Sequence, residues 1–161
     1  MHRQIATTAL AASMLATPAL AQNFELSPTY GEITLQAGFA DDPQTIAVTS
    51  GGNIDAESEI GGECYGYIAD APDYRLNYQA GSYPLLIAAM GSAAGHDVTL
   101  VISMPDGSWA CDDDSFEDGD AAFLFENPPT GQYDIWVGDW EDGADATLVI
   151  SETMAQKLLE N

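Results

Sequence analysis

The chain has 161 residues, and its 26 Asp and Glu against three Lys and Arg give a formal net charge of −23. A surface this negative repels DNA, RNA and anionic lipid, which excludes nucleic acid as a partner and leaves cations and basic groups as the chemistry it attracts. The same acidity also serves to keep an exported protein soluble in salty surroundings, where self-repulsion is screened.

Read from the N-terminus, Arg3 gives a short basic start and residues 5–20 are small and apolar. Ala19-Leu20-Ala21 has the small-x-small form of a signal-peptidase site, so residues 1–21 read as a Sec-type signal peptide cut after Ala21. The stretch is short for a membrane anchor and no basic stop-transfer cluster follows it. No later segment is apolar for long enough to span a bilayer, and the expected location is the periplasm or the medium. Removal of Arg3 leaves one cation fewer, Arg75 and Lys157 against the 26 carboxylates, a formal charge of −24. The remaining 140 residues (161 less 21) suit one domain over residues 22–152, with 153–161 as a tail or short helix. Cys64 and Cys111 are an even pair, which in an oxidising compartment reads as a disulfide; a two-thiolate metal site lacks neighbouring histidines and CxxC spacing.

Strand signals follow in order: residues 31–37, 45–49, 64–68, 74–78, 83–89, 98–103, 122–125, 133–137 and 146–151. Each is a short alternating or β-branched run, most of them bounded by Gly, Pro, Asn or Asp. PDG at 105–107 and NPPTG at 127–131 read as tight turns. Many short strands at near-regular spacing predict an all-β fold, a jelly-roll-like antiparallel β-sandwich. Val98, Leu100 and Ile102, Ala146, Leu148 and Ile150, Tyr133, Ile135 and Val137, and Leu85 with Ile87 each share a face and form the expected core. GSYPLLIA at 81–88 parallels GQYDIWVG at 131–138, and DVTLVIS at 97–103 parallels DATLVIS at 145–151. Two matched strand units suggest pseudo-symmetric halves, or convergence on the few residue types that strands use.

DYRLNYQAG at 73–81, DVTLVI at 97–102, PDGSW at 105–109, DDD at 112–114 and TGQYDIWV at 130–137 together resemble the bacterial pre-peptidase C-terminal domain. The resemblance covers about residues 70–151, and its most specific parts are the PDG turn before the Asp run and the Gly-x-Tyr-x-Ile-x-Val strand. It implies a jelly-roll-like sandwich, non-catalytic, that usually accompanies secreted proteases and in some members binds calcium. This chain looks like a small stand-alone exported member.

The catalytic signals are weak. After signal removal the one histidine is His96, which reads as a surface residue in a polar loop. No GxSxG elbow and no HExxH is present, which argues against a serine hydrolase and a zinc protease of those types. Residues 112–120 are the densest run of carboxylates, and a hard cation such as Ca²⁺ takes six to eight oxygens of this kind. Asp112, Asp114, Asp118 and Asp120 are the candidate ligands, with Asp113 a weaker one. The spacing is not that of an EF-hand, because Phe116 and Phe123 stand where ligands belong. The opposing reading is a solvated acidic loop. Trp140, between carboxylates, with Trp109 and Trp136, forms a candidate set of ligand aromatics, although aromatics mostly serve packing. Arg75, inside a strand, is expected to pair with a carboxylate near Asp70 or Asp73 or across the sheet. The sequence thus reads as a non-catalytic exported binding or interaction module with Ca²⁺ as a candidate ligand and no cofactor required for folding. Envelope proteins or glycans are candidate partners. The alternatives are a carbohydrate-binding accessory protein and, further off, a secreted hydrolase or peptidase-associated protein.

Overall fold

Polar–apolar alternation, broken by Gly, Pro and Asx turns, organises the described residues as two β-sheets face to face with two short helices. The computed structural model describes residues 23–93, 96–116, 119–141 and 143–160; the expected signal peptide at 1–21 and Asp118 of the acidic run lie outside them. In chain order the elements are β1 (Glu32–Gln36), β2 (Gln44–Thr49), β3 (Ile54–Asp55), α1 (Ala56–Glu59), β4 (Tyr67–Ile68) and β5 (Tyr74–Gln79). They continue with β6 (Leu85–Gly91), β7 (Val98–Ser103), β8 (Trp109–Asp112), β9 (Ala121–Phe125), β10 (Gly131–Asp139), β11 (Asp145–Ser151) and α2 (Glu152–Leu159).

The fold is an all-β sandwich. In the larger sheet β10 pairs with β5 over Gly131–Ile135 on one edge and with β7 over Asp134–Asp139 on the other, and it meets β4 at Asp139. β1, β8 and β3 extend the sheet beyond β5, β7 and β4. The smaller sheet runs β2-β11-β6-β9. One pairing departs from the antiparallel expectation: β1 lies parallel to β5, from Glu32 opposite Arg75 to Gln36 opposite Gln79. A parallel neighbour needs a long crossover. The chain supplies it by building β2 in the other sheet and then β3, α1 and β4 before it returns.

The two matched sequence units have a structural counterpart. Each unit sends its strands to opposite sheets, β6 and β11 to the smaller, β7 and β10 to the larger. The first strand of either unit pairs with the second strand of the other, β6 with β11 and β10 with β7.

All the residues expected in the core are buried between the sheets, where Leu100, Ile102, Tyr133, Ile135, Leu148 and Ile150 have no solvent exposure. The outer faces are covered too, which explains why β6 and β7 read as continuous apolar runs rather than alternating ones. On the larger sheet, Val101 and Trp136 lie under Ala56, Cys64 and Ile68 from the β3-α1-β4 segment. On the smaller sheet, Leu86, Ala88 and Val149 lie under Ala155 of α2, with Met154 and Phe116 packed alongside. The expected disulfide joins Cys64 to Cys111 across 47 residues. It does not tie one sheet to the other; it pins the β3-α1-β4 cover to β8 on the outer face of the larger sheet. A buried bridge of this kind belongs to a chain that folds in an oxidising compartment. Among the described residues no helix is long and apolar enough to cross a membrane.

Candidate functional site

Register brings five loops to one end of the sandwich. β10 ends at Asp139 opposite the start of β7 at Val98, and β8 ends at Asp112 opposite Leu100. β2 ends at Thr49 opposite the start of β11 at Asp145, and β9 starts at Ala121 opposite Ala89 of β6. The connections after β2, β6, β8 and β10, together with the α1–β4 segment, therefore share one rim, which carries the acidic run and the exposed Tyr67 and Trp140.

Asp139 ties this rim together. It is 1% exposed; its Oδ2 accepts a hydrogen bond from Ser50 Oγ at 2.7 Å and lies 2.6 Å from His96 Nε2, while its Oδ1 accepts the Glu141 N–H at 2.8 Å. Burial pushes the Asp139 carboxyl up, but the bonds from Ser50, Glu141 and His96 outweigh it and hold the group below its ordinary range. Ser50 Oγ in turn accepts the Ala144 N–H at 3.0 Å. Three loops are thus cross-linked through one carboxylate. His96, expected as a simple surface residue, is held in place by this contact. The serine, histidine and aspartate do not form a nucleophile relay: the Ser50 hydroxyl donates to Asp139 rather than to His96, and Ser50 is buried.

Trp140 follows directly and is 45% exposed. Its ring lies near-parallel to that of Tyr65, centroids 6.0 Å apart and planes 23° from one another. Tyr67, opposite Asp139 in the sheet, is exposed as well. Gly66 between the two tyrosines has φ +82, and a Cβ there would fall 2.7 Å from Thr99 Oγ1 and 3.1 Å from the Asp139 carbonyl oxygen. Only glycine lets this segment lie so close to β7 and β10. Two pockets flank the indole. One, of about 340 Å³, is lined by Asp55, Glu57, Tyr65, Gly66, Tyr67 and Trp140. The other, of about 180 Å³, is lined by His96, Asp97, Asp139, Trp140 and Glu141. Asp55 also caps α1, accepting the N–H groups of Glu57 and Ser58.

The acidic run lies beside this surface. Asp112 Oδ2 accepts the N–H groups of Ser115 and Ala122 at 3.1 and 2.8 Å, and Asp120 Oδ1 accepts that of Gly91 at 2.8 Å, so both carboxylates organise the β8–β9 loop. Asp97 is pushed up by burial and then by Asp114, Asp113 and Asp139; Asp113 is pushed up by burial and then by Asp114 and Asp112. The Asp114 carboxylate thus bears on both Asp97 and Asp113. Among the described residues no three His, Cys, Asp or Glu side chains are set to hold a metal ion; Asp118 is outside them.

The other residues singled out in the sequence lie elsewhere. Trp136 is fully buried on the outer face of β10, its Nε1 without a hydrogen-bond partner among the described residues, and Trp109 packs on it with ring centroids 5.7 Å apart. Phe24 completes that cluster, 5.7 Å from Trp109 and 6.0 Å from Trp136. The three tryptophans therefore do not form one surface. Arg75 Nε donates to Asp134 Oδ1 at 2.6 Å, directly across the β5–β10 pairing, and its Nη2 donates to the Phe24 carbonyl at 2.9 Å. A larger pocket of about 520 Å³ lies beside these residues, near Met104, Trp109 and Asp134. Of its polar side chains, Gln132 donates to Asp134, and Thr130 accepts from Gln79 and from the Ala80 N–H. Tyr65 and Tyr67 were hidden in the sequence inside an apparent strand; the signal that marks them is a tyrosine on either side of one glycine, directly after a cysteine. No protein-family model matches the chain, and no curated protein matches its sequence.

Proposed function

We propose that the protein is an exported, non-catalytic binding module whose ligand-contacting surface is the rim centred on Trp140. The observation that carries this reading is an exposed indole stacked on Tyr65, flanked by two pockets and ringed by carboxylates, on loops that Asp139 cross-links. An aromatic of that size is left in water at a cost, and a fixed, exposed aromatic surface suits recognition. The signal-like N-terminus and the disulfide support a location in the periplasm or the medium. The resemblance to the pre-peptidase C-terminal domain supports a binding role in place of catalysis. Envelope proteins and glycans are the partner classes. Calorimetric titration of the purified protein with soluble glycans, small amines and envelope-derived peptides tests the reading. Saturable binding by one class, lost in Trp140→Ala, supports it. Binding that survives this substitution, or that requires the Met104–Trp109 side, overturns it.

A calcium-binding role is the second reading: after burial, Asp114 pushes the carboxyls of Asp97 and Asp113 up, and a bound cation relieves repulsion of that kind. A rise in melting temperature at millimolar Ca²⁺, absent with equal Mg²⁺ and reduced in Asp114→Asn, supports it. An unchanged melting temperature removes it.

A further inference from the structure

The pocket on the Tyr65 side of Trp140 combines aromatic rings with negative charge. Its walls are three aromatic rings, one glycine and the carboxylates of Asp55 and Glu57. Carboxylates only accept hydrogen bonds, and among the described residues the lining's side-chain donors are the hydroxyls of Tyr65 and Tyr67 and the Trp140 indole N–H. A sugar hydroxyl both donates and accepts and needs no net charge, whereas this lining adds two carboxylates to its aromatic faces. A cation presents no acceptor at all. Aromatic faces carry negative charge above the ring and attract a cation placed over them, most strongly at Trp. The surrounding field has the same sign, since the chain carries 26 carboxylates against three Lys and Arg.

Between cations, the aromatic content of the pocket decides. A primary ammonium is compact and strongly hydrated and surrenders its water reluctantly. A quaternary ammonium has no N–H to satisfy and an apolar methyl shell that rests on the rings. Tyr65 and Trp140 lie near-parallel with centroids 6.0 Å apart, Tyr67 and Trp140 are exposed, and all three rings line the pocket. We propose that the pocket formed by Tyr65, Tyr67, Trp140, Asp55 and Glu57 binds a small quaternary ammonium compound, its methylated nitrogen over the aromatic faces and the carboxylates balancing the charge. This rests on the assignment of the Trp140 rim as the binding surface and names the ligand class for one side of it.

Choline chloride is the probe, 3,3-dimethyl-1-butanol its uncharged counterpart of the same shape, and lysine amide the primary-ammonium control. All are titrated at constant ionic strength, with indole and amide resonances followed by NMR. Saturable shifts at Trp140 and Gly66 with choline, at least tenfold weaker for the alcohol and for lysine amide, are expected. Trp140→Ala should abolish them and Glu57→Gln should weaken binding several-fold, with the amide resonances of β6, β7, β10 and β11 in place in both variants to show that they fold. Equal shifts from choline and the alcohol overturn the charge-based recognition. Choline silence with glycan-induced shifts at Trp140 overturns the ligand class and keeps the rim as a binding surface. Silence at Trp140 toward every probe, with saturable binding elsewhere, overturns both.

Discussion

Asp73 is 3% exposed, and its Oδ2 accepts the Val137 N–H at 2.7 Å. Burial pushes its carboxyl up from the ordinary 3.8 to about 7, against the opposing effect of that one hydrogen bond. The folded state therefore holds this proton more tightly than the unfolded chain. Its contribution to stability is complete below pH 3.8 and is lost as the pH rises through about 7. Asp73→Asn keeps an acceptor for Val137 and removes the charge. Denaturant melts of the two proteins between pH 4 and pH 8 should show a variant with a flatter profile, more stable than the parent at pH 8 by about 1–3 kcal/mol. Parallel profiles would show that Asp73 is ionised at little cost. Asp139 is the contrasting case: also buried, but held in the charged form by three partners, and so suited to anchoring loops at neutral pH.

At the scale of elements, the strands with an alternating or β-branched pattern were legible in the sequence, among them β7, β10 and β11 with their inward residues, and the C-terminal segment, read as a tail or short helix, is α2. Those missed are short and take their shape from the rest of the fold. β8 is four residues that pair only because the PDG turn folds them back on β7. β3 and α1 hold two and four residues and lie in what reads as an irregular acidic loop; Asp55 as a cap was the local signal. The segment read as a strand over 64–68 contributes only Tyr67 and Ile68, because Gly66 turns the chain. The cover that results is held by a small apolar cluster and the Cys64–Cys111 bridge. A bridge closing a loop of this length constrains the unfolded chain by about 4 kcal/mol. Cys64→Ser with Cys111→Ser should cost roughly 2–4 kcal/mol. Hydrogen exchange should then accelerate first over residues 54–69, while β6, β7, β10 and β11 stay protected. Uniform loss of protection would mean that the cover is not a separate unit of stability.

For the molecule as a whole, 26 carboxylates face three Lys and Arg, so like-charge repulsion works against the folded state and salt relieves it. Raising NaCl from about 20 mM to about 500 mM should raise the melting temperature by several degrees. A flat or falling curve would show that the charges are spaced too widely to matter. The sandwich was readable because periodicity is a local signal. The binding rim was only half readable: Trp140 stood out between carboxylates, but its partnership with Tyr65 and the role of Asp139 and His96 depend on register between strands far apart in sequence. The separation of Trp140 from Trp109 and Trp136 has the same origin, since residue type alone does not tell an outer-face tryptophan under a cover from one on a loop. That separation makes the three tryptophans internal reporters. Their indole N–H resonances, followed while the protein is titrated with quaternary amines, glycans and Ca²⁺, give the most direct test of the Trp140 rim as the binding surface. A saturable shift of the Trp140 signal, with Trp136 unmoved under its cover, is the predicted result. Saturable binding that moves Trp109 and leaves Trp140 untouched would contradict it.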